Sequence, residues 1–146
     1  MKLARLAGCI VVWLGLSANA PPAAGAGDSF GAIAYSSSSH QVAYAHSWTS
    51  AAEAEASARG QCNRNTPAKD CFVAVSLRNA CGALAIDYRG TWGVWERTPS
   101  TPGGHGADMA RSSAEREATR HCRQFAGPHT AECRVVESRC AVAFNL

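Results

Sequence analysis

The sequence predicts an α+β fold: two strand–strand–helix–strand pseudo-repeats sharing one core, with helices packed on β-sheet and three disulfides. Three observations predict it. An apolar string recurs, Gly31-Ala-Ile-Ala-Tyr35 as Gly82-Ala-Leu-Ala-Ile86. An alanine-rich, charged segment ending in cysteine recurs without a gap, Ala54 to Cys62 against Ala114 to Cys122. Six cysteines remain once an N-terminal leader is set aside: Cys62, Cys71, Cys81, Cys122, Cys133 and Cys140.

The leader comes first in the chain. Lys2 and Arg5 precede an eleven-residue apolar run, Leu6 to Leu16, and Ser17 to Ala26 is rich in small residues. That order marks residues 1–26 as a secretory signal peptide, with an apolar run too short to span a bilayer. Two cleavage frames compete. A cut after Ala20 places Pro21 directly behind it, whereas a cut after Ala26 leaves Gly27-Asp28, and the second frame is preferred. Leu6-Ala-Gly-Cys9 resembles a lipoprotein box, but most of the apolar run follows Cys9 instead of preceding it, so Cys9 reads as part of the leader. The mature chain, 27–146, is then expected to be a single disulfide-stabilised domain, monomeric, without a membrane span, and secreted to the periplasm or beyond the cell.

The first repeat unit covers about residues 30–81. Gly31 to Tyr35, the polar turn Ser36 to Gln41 and the aromatic strand Val42 to Trp48 read as a hairpin. Ser50-Ala-Ala-Glu53 matches a capping box, and Ala51, Ala54, Ala58 and Cys62 then follow helical spacing. A strand, Phe72 to Leu77, lies between cysteines. The second unit, about 82–143, repeats this order with a hairpin from Gly82 to Glu96 and a final strand from Arg134 onward. Between them, Arg97 to Asp108 is rich in Gly and Pro and predicts a surface loop with no counterpart in the first unit, His105 being its one reactive side chain. Ser112-Ser-Ala-Glu115 gives a second capping box, and Ala110, Ala114, Ala118, Cys122 and Phe125 a second buried stripe. Gly- and Ala-rich hairpins bury too little area alone, so the units are expected to share a core.

An even cysteine count in an exported chain argues for disulfides. Cys62 and Cys122 each end a helix, and Cys71 and Cys133 each start the following strand, so Cys62 pairs with Cys71 and Cys122 with Cys133. Cys81 and Cys140 remain, and their bond is expected to tie the two copies together. No C-x-x-C pair is present, so no metal site is expected.

Phe30-Gly-Ala-Ile-Ala-Tyr35, the alanine-rich helix ending in cysteine, and above all Arg78-Asn-Ala-Cys-Gly-Ala-Leu-Ala85 resemble the secreted bacterial family described as domain of unknown function 4189. The resemblance runs from Phe30 to Cys140. It implies a small exported, cysteine-containing domain and no established reaction, so it assigns no catalytic residue. The stretch before the second helix departs from the compact form that the resemblance implies.

The chemistry is sparse. The formal charge is +3, and with Lys2 and Arg5 in the leader 12 of the 14 Lys and Arg remain against 11 Asp and Glu, a balance that gives no attraction to nucleic acid. Arg111, Glu115, Arg116, Arg120 and Arg123 read as a solvated helix face. No metalloprotease, nucleophile-elbow, P-loop or dinucleotide motif occurs. His40 and His129 sit in turns, and His121 stands beside a helix end where a cation suits the dipole. Tyr44, His46 and Trp48 alternate along one strand and share a face, either a ligand groove or a packed core with one satisfied imidazole, the core being the better reading. Trp92 and Trp95 are an odd step apart, so one should be buried and the other partly exposed. Tyr44, His46, Trp48, Trp92 and Trp95 form the candidate binding surface. No catalytic residue and no cofactor is assigned. Glu53 and Glu55 point apart on their helix, while Asp87 and Glu96 bracket the second hairpin and could meet across it. The expected function is an exported binding module for a protein or cell-envelope ligand. The alternative is a secreted hydrolase using His46 or His105 with a nearby carboxylate.

Overall fold

A computed structural model describes residues 27–87, 89–90, 92–99, 104–127 and 132–142, with the side chains of 47 and 48 also outside the description. The leader and His129 therefore lie outside the described residues. The elements run β1 (Phe30–Tyr35), β2 (Val42–Trp48), α1 (Ala51–Arg64), β3 (Phe72–Arg78), β4 (Ala80–Ile86), β5 (Trp92–Arg97), α2 (Gly104–Phe125) and β6 (Arg134–Ala141). They form two antiparallel three-stranded sheets with the same order, β2-β1-β3 and β5-β4-β6. Each repeat thus makes one sheet with its own helix. The sheets pack face to face, and the helices cover the two outer faces.

Alternation along the central strands explains the layering. On β1, Ala32 and Ala34 face α1, where they meet Ala54, Ala58 and Cys62. On β4, Ala83 and Ala85 face α2, where they meet Ala114, Ala118 and Cys122. The intervening positions, Ile33 and Tyr35 with Leu84 and Ile86, turn inward and join Val75 and Leu77 in the core between the sheets. Small residues therefore face the helices and large ones face the other sheet. At Gly82 an added Cβ would lie 2.7 Å from Leu77 Cδ2 and 2.9 Å from Val75 Cγ1, so the missing side chain lets the sheets close.

The string that suggested the family builds the corner between the two sheets. Asn79 alone joins β3 to β4, at φ +50°. Its backbone N–H donates to Ser29 O at 2.9 Å, its Oδ1 accepts from Ser29 N–H at 2.9 Å, and its Nδ2 donates to Asp28 Oδ1 at 2.6 Å. Arg78 donates to the other oxygen of Asp28 at 2.6 Å. Asn tolerates the left-handed conformation better than most residues, and here its amide also holds the incoming chain.

Disulfides join Cys62 to Cys71, Cys122 to Cys133 and Cys81 to Cys140. The third does not tie the two copies together. Cys81 belongs to β4 and lies directly opposite Cys140 on β6, so the bond staples two neighbouring strands of the second sheet.

The second helix corrects three expectations. It begins at Gly104, so the Gly-rich stretch expected as loop as far as Asp108 is helical from Gly104 on. Ala107 and Ala110 pack against Cys81 and Cys140, and that burial overrides weak local propensity. Ser112 is consequently an exposed mid-helix residue instead of a cap. Phe125 is 73% exposed, because Ala126, four residues after Cys122, takes the buried place. In α1 the cap forms where expected: Ser50 Oγ accepts the Glu53 backbone N–H at 3.3 Å. No helix among the described residues is long and apolar enough to cross a membrane.

Candidate functional site: a groove along the edge of the second sheet

β3 and β5 are edge strands of different sheets and lie side by side at one flank of the sandwich. Alternation sends the two β5 tryptophans to opposite sides. Trp95 packs toward α2, and its ring meets the His121 ring edge-on at 4.7 Å between centroids. Trp92 turns to the other side, 5.5 Å from the ring of Phe72 on β3, and stays 39% exposed. α2 approaches β5 very closely at Gly93, where an added Cβ would sit 2.5 Å from Ala118 O. That contact draws His121 to the edge of β5.

Between these elements lies an open cavity of about 440 Å³, lined by Ala74, Val75, Val94, Trp95 and His121, with Ser76 and Glu96 at its polar rim. A second depression of about 390 Å³ shares Val94 and His121 and continues past Trp92 to Phe125. Together they make an apolar strip with one imidazole near its middle.

The opposite flank, where β2 meets β6, is closed. The Tyr44 hydroxyl donates to Cys140 O at 2.9 Å, its ring stacks on His46 at 5.3 Å, and the Arg139 guanidinium lies 5.7 Å above it. Burial pushes the Tyr44 phenol up to about 12, against the opposing pull of Arg139. The five residues of the sequence-derived surface are thus not brought together. Tyr44 and His46 share one flank, and Trp92 and Trp95 belong to the other. Trp48 ends β2, with its side chain outside the described residues.

Histidine–carboxylate chemistry finds little support. His46 and His105 are exposed, and neither bonds a carboxylate among the described residues. Asp87 and Glu96 do not meet: Asp87 follows Ile86 at the turn end of the hairpin, whereas Glu96 pairs with Gly82 near the other end. The described residues contain no group of three or more side chains suited to a metal ion.

Two features escaped the sequence. His121 reaches the groove because it precedes the buried Cys122 and so flanks the helix–sheet contact, a consequence of helical spacing. The serine-rich turn is also a bonded network instead of a solvated one. Ser36, fully buried, donates to Asp70 Oδ1 at 2.6 Å, and Ser39 Oγ donates to Ser36 Oγ and accepts from the Thr66 hydroxyl, both at 2.9 Å. Hydrogen bonds from Ser36 and Ser38 hold the Asp70 carboxyl below the usual aspartate range. Tyr35 lies 2.8 Å from His40 Nδ1, and burial, aided by Asp87 and Asp70, raises its phenol. The network fastens the β1–β2 turn to the segment between α1 and β3.

The family model described as Domain of unknown function (DUF4189) matches residues 30–140. The chain belongs to this family. The DUF4189 match begins with β1 and ends at Cys140, and so contains both repeats and the groove. Among solved structures, the NMR structure of Rv1813c from Mycobacterium tuberculosis is similar, at 24% identity over 96% of this chain and 98% of that one, with a TM-score of 0.46. No curated protein matches.

Proposed function

We propose that this DUF4189 chain is exported, is trimmed to begin near Gly27, and acts as a monomeric, disulfide-bonded domain that binds a protein or cell-envelope component through the β3–β5 groove. One observation carries the reading: an apolar strip with Trp92, Val94, Trp95 and Phe125 along it stands open at the flank of the sandwich where β3 and β5 meet. Exposed apolar patches rimmed by polar groups mark interaction sites more often than chance. Three disulfides suit an oxidising compartment.

The test is capture of partners from cell envelope and culture fluid with the oxidised protein. Phe125→Ala and His121→Ala should lose a partner that wild type retains, with unchanged thermal unfolding. Equal capture by both variants would remove the groove from the reading. Mass spectrometry of the secreted protein locates the mature N-terminus.

A further inference from the structure

We propose a second site, independent of the groove, in which Arg97 and Arg116 bind a phosphate group. A pocket of about 230 Å³ lies between the end of β5 and the middle of α2, lined by Arg97, Thr98, Met109, Ala110, Ser113 and Arg116. Met109, Ser113 and Arg116 follow helical spacing and face the strand end together. Ala110 is buried against Cys81, which the disulfide fastens to Cys140, so the wall is rigid.

Charge decides the ligand. Two other cations of α2 are already paired: Arg111 with Asp108 at 3.1 Å and Arg120 with Glu117 at 2.7 Å. Arg97 and Arg116 have no ion pair among the described residues. Glu96 lies on the opposite face of β5, lining the groove. Glu115 does not line this pocket; it lines a neighbouring depression toward β6, with Thr119, Arg123 and Val135, which Arg116 also borders. Two like charges on one pocket repel each other until a multivalent anion stands between them. A guanidinium presents paired N–H donors that match two oxygens of a phosphate, and the Thr98 and Ser113 hydroxyls add single donors. A free phosphate or phosphomonoester satisfies all four groups.

The experiment titrates inorganic phosphate into the ¹⁵N-labelled, oxidised protein at constant ionic strength. Saturable shifts should centre on Thr98, Ser113 and Arg116. Arg97→Gln and Arg116→Gln should each weaken binding about tenfold, and Arg111→Gln should leave it unchanged. Unsaturated shifts spread along all of α2, or equal affinity in every variant, would overturn the site. Vesicles of phosphatidylcholine with phosphatidic acid provide the second arm: binding to them without binding of inorganic phosphate would overturn a small-ligand site in favour of a lipid surface.

Discussion

Gly93 is the residue on which the second helix–sheet contact turns. A methyl group there would overlap Cys122 N and Ala118 O, which are backbone atoms and cannot rotate away. The first repeat carries Ala43 at the matching register, opposite Ala34 as Gly93 is opposite Ala85, so α1 stands off by enough to admit a methyl. Gly93→Ala should cost about 3 kcal/mol, as overpacking of a filled core does. Urea unfolding measures this, and a loss within experimental error would mean that α2 rides higher than described. Asp70 offers a prediction in pH. Its carboxyl is held below the ordinary value of 3.8 by Ser36 and Ser38, so folding favours the ionised form. That contribution is complete above the unfolded value and is lost as pH falls through the lower folded one. Asp70→Asn should therefore flatten the fall in stability below about pH 4, and an acid limb identical to wild type would disprove the coupling.

At the scale of the element, two similar capping motifs have different fates. Ser50 caps α1, with its Oγ on the Glu53 N–H. Ser112 lies inside the 22-residue α2 and is exposed. Loss of a serine cap costs about 1 kcal/mol, whereas an exposed mid-helix serine exchanged for alanine gains a few tenths, on the order of 0.5 kcal/mol. Ser50→Ala should destabilise and Ser112→Ala should be neutral or stabilising in thermal unfolding. Equal losses would return the start of α2 to Ser112.

For the whole molecule, the sheets are held by the inner core and the Asn79 corner, while each disulfide acts within its own repeat. The Cys81–Cys140 bond closes the longest loop, 59 residues, against 9 and 11 for the others. Loop-closure entropy assigns it about 4 kcal/mol and the shorter two about 3 kcal/mol each. The double Cys81→Ala/Cys140→Ala variant should therefore lose the most stability of the three double variants. Its second sheet should also lose amide-exchange protection along β6 before the first sheet does. Uniform loss in both sheets would show that the bond acts across the repeats after all.

The α+β class, the doubled strand–strand–helix–strand order and the small helix-facing residues were legible in the sequence. They depend on periodicities of two and about 3.6 and on a repeat, all local properties of the chain. The cap at Ser50 and the opposite facing of Trp92 and Trp95 are local in the same sense. The tertiary structure alone decided which strands are edges, and hence that Tyr44 and His46 lie on a flank apart from Trp92 and Trp95. It decided that the Cys81–Cys140 bond stays within one sheet, because β4 takes β6 as its neighbour. It also drew Gly104 to Asp108 into α2 and left Phe125 in solvent, since burial of Ala107, Ala110 and Ala126 outweighs local preference. The β3–β5 groove has no local signature, because its walls come from three elements brought together only by the stacking of the sheets.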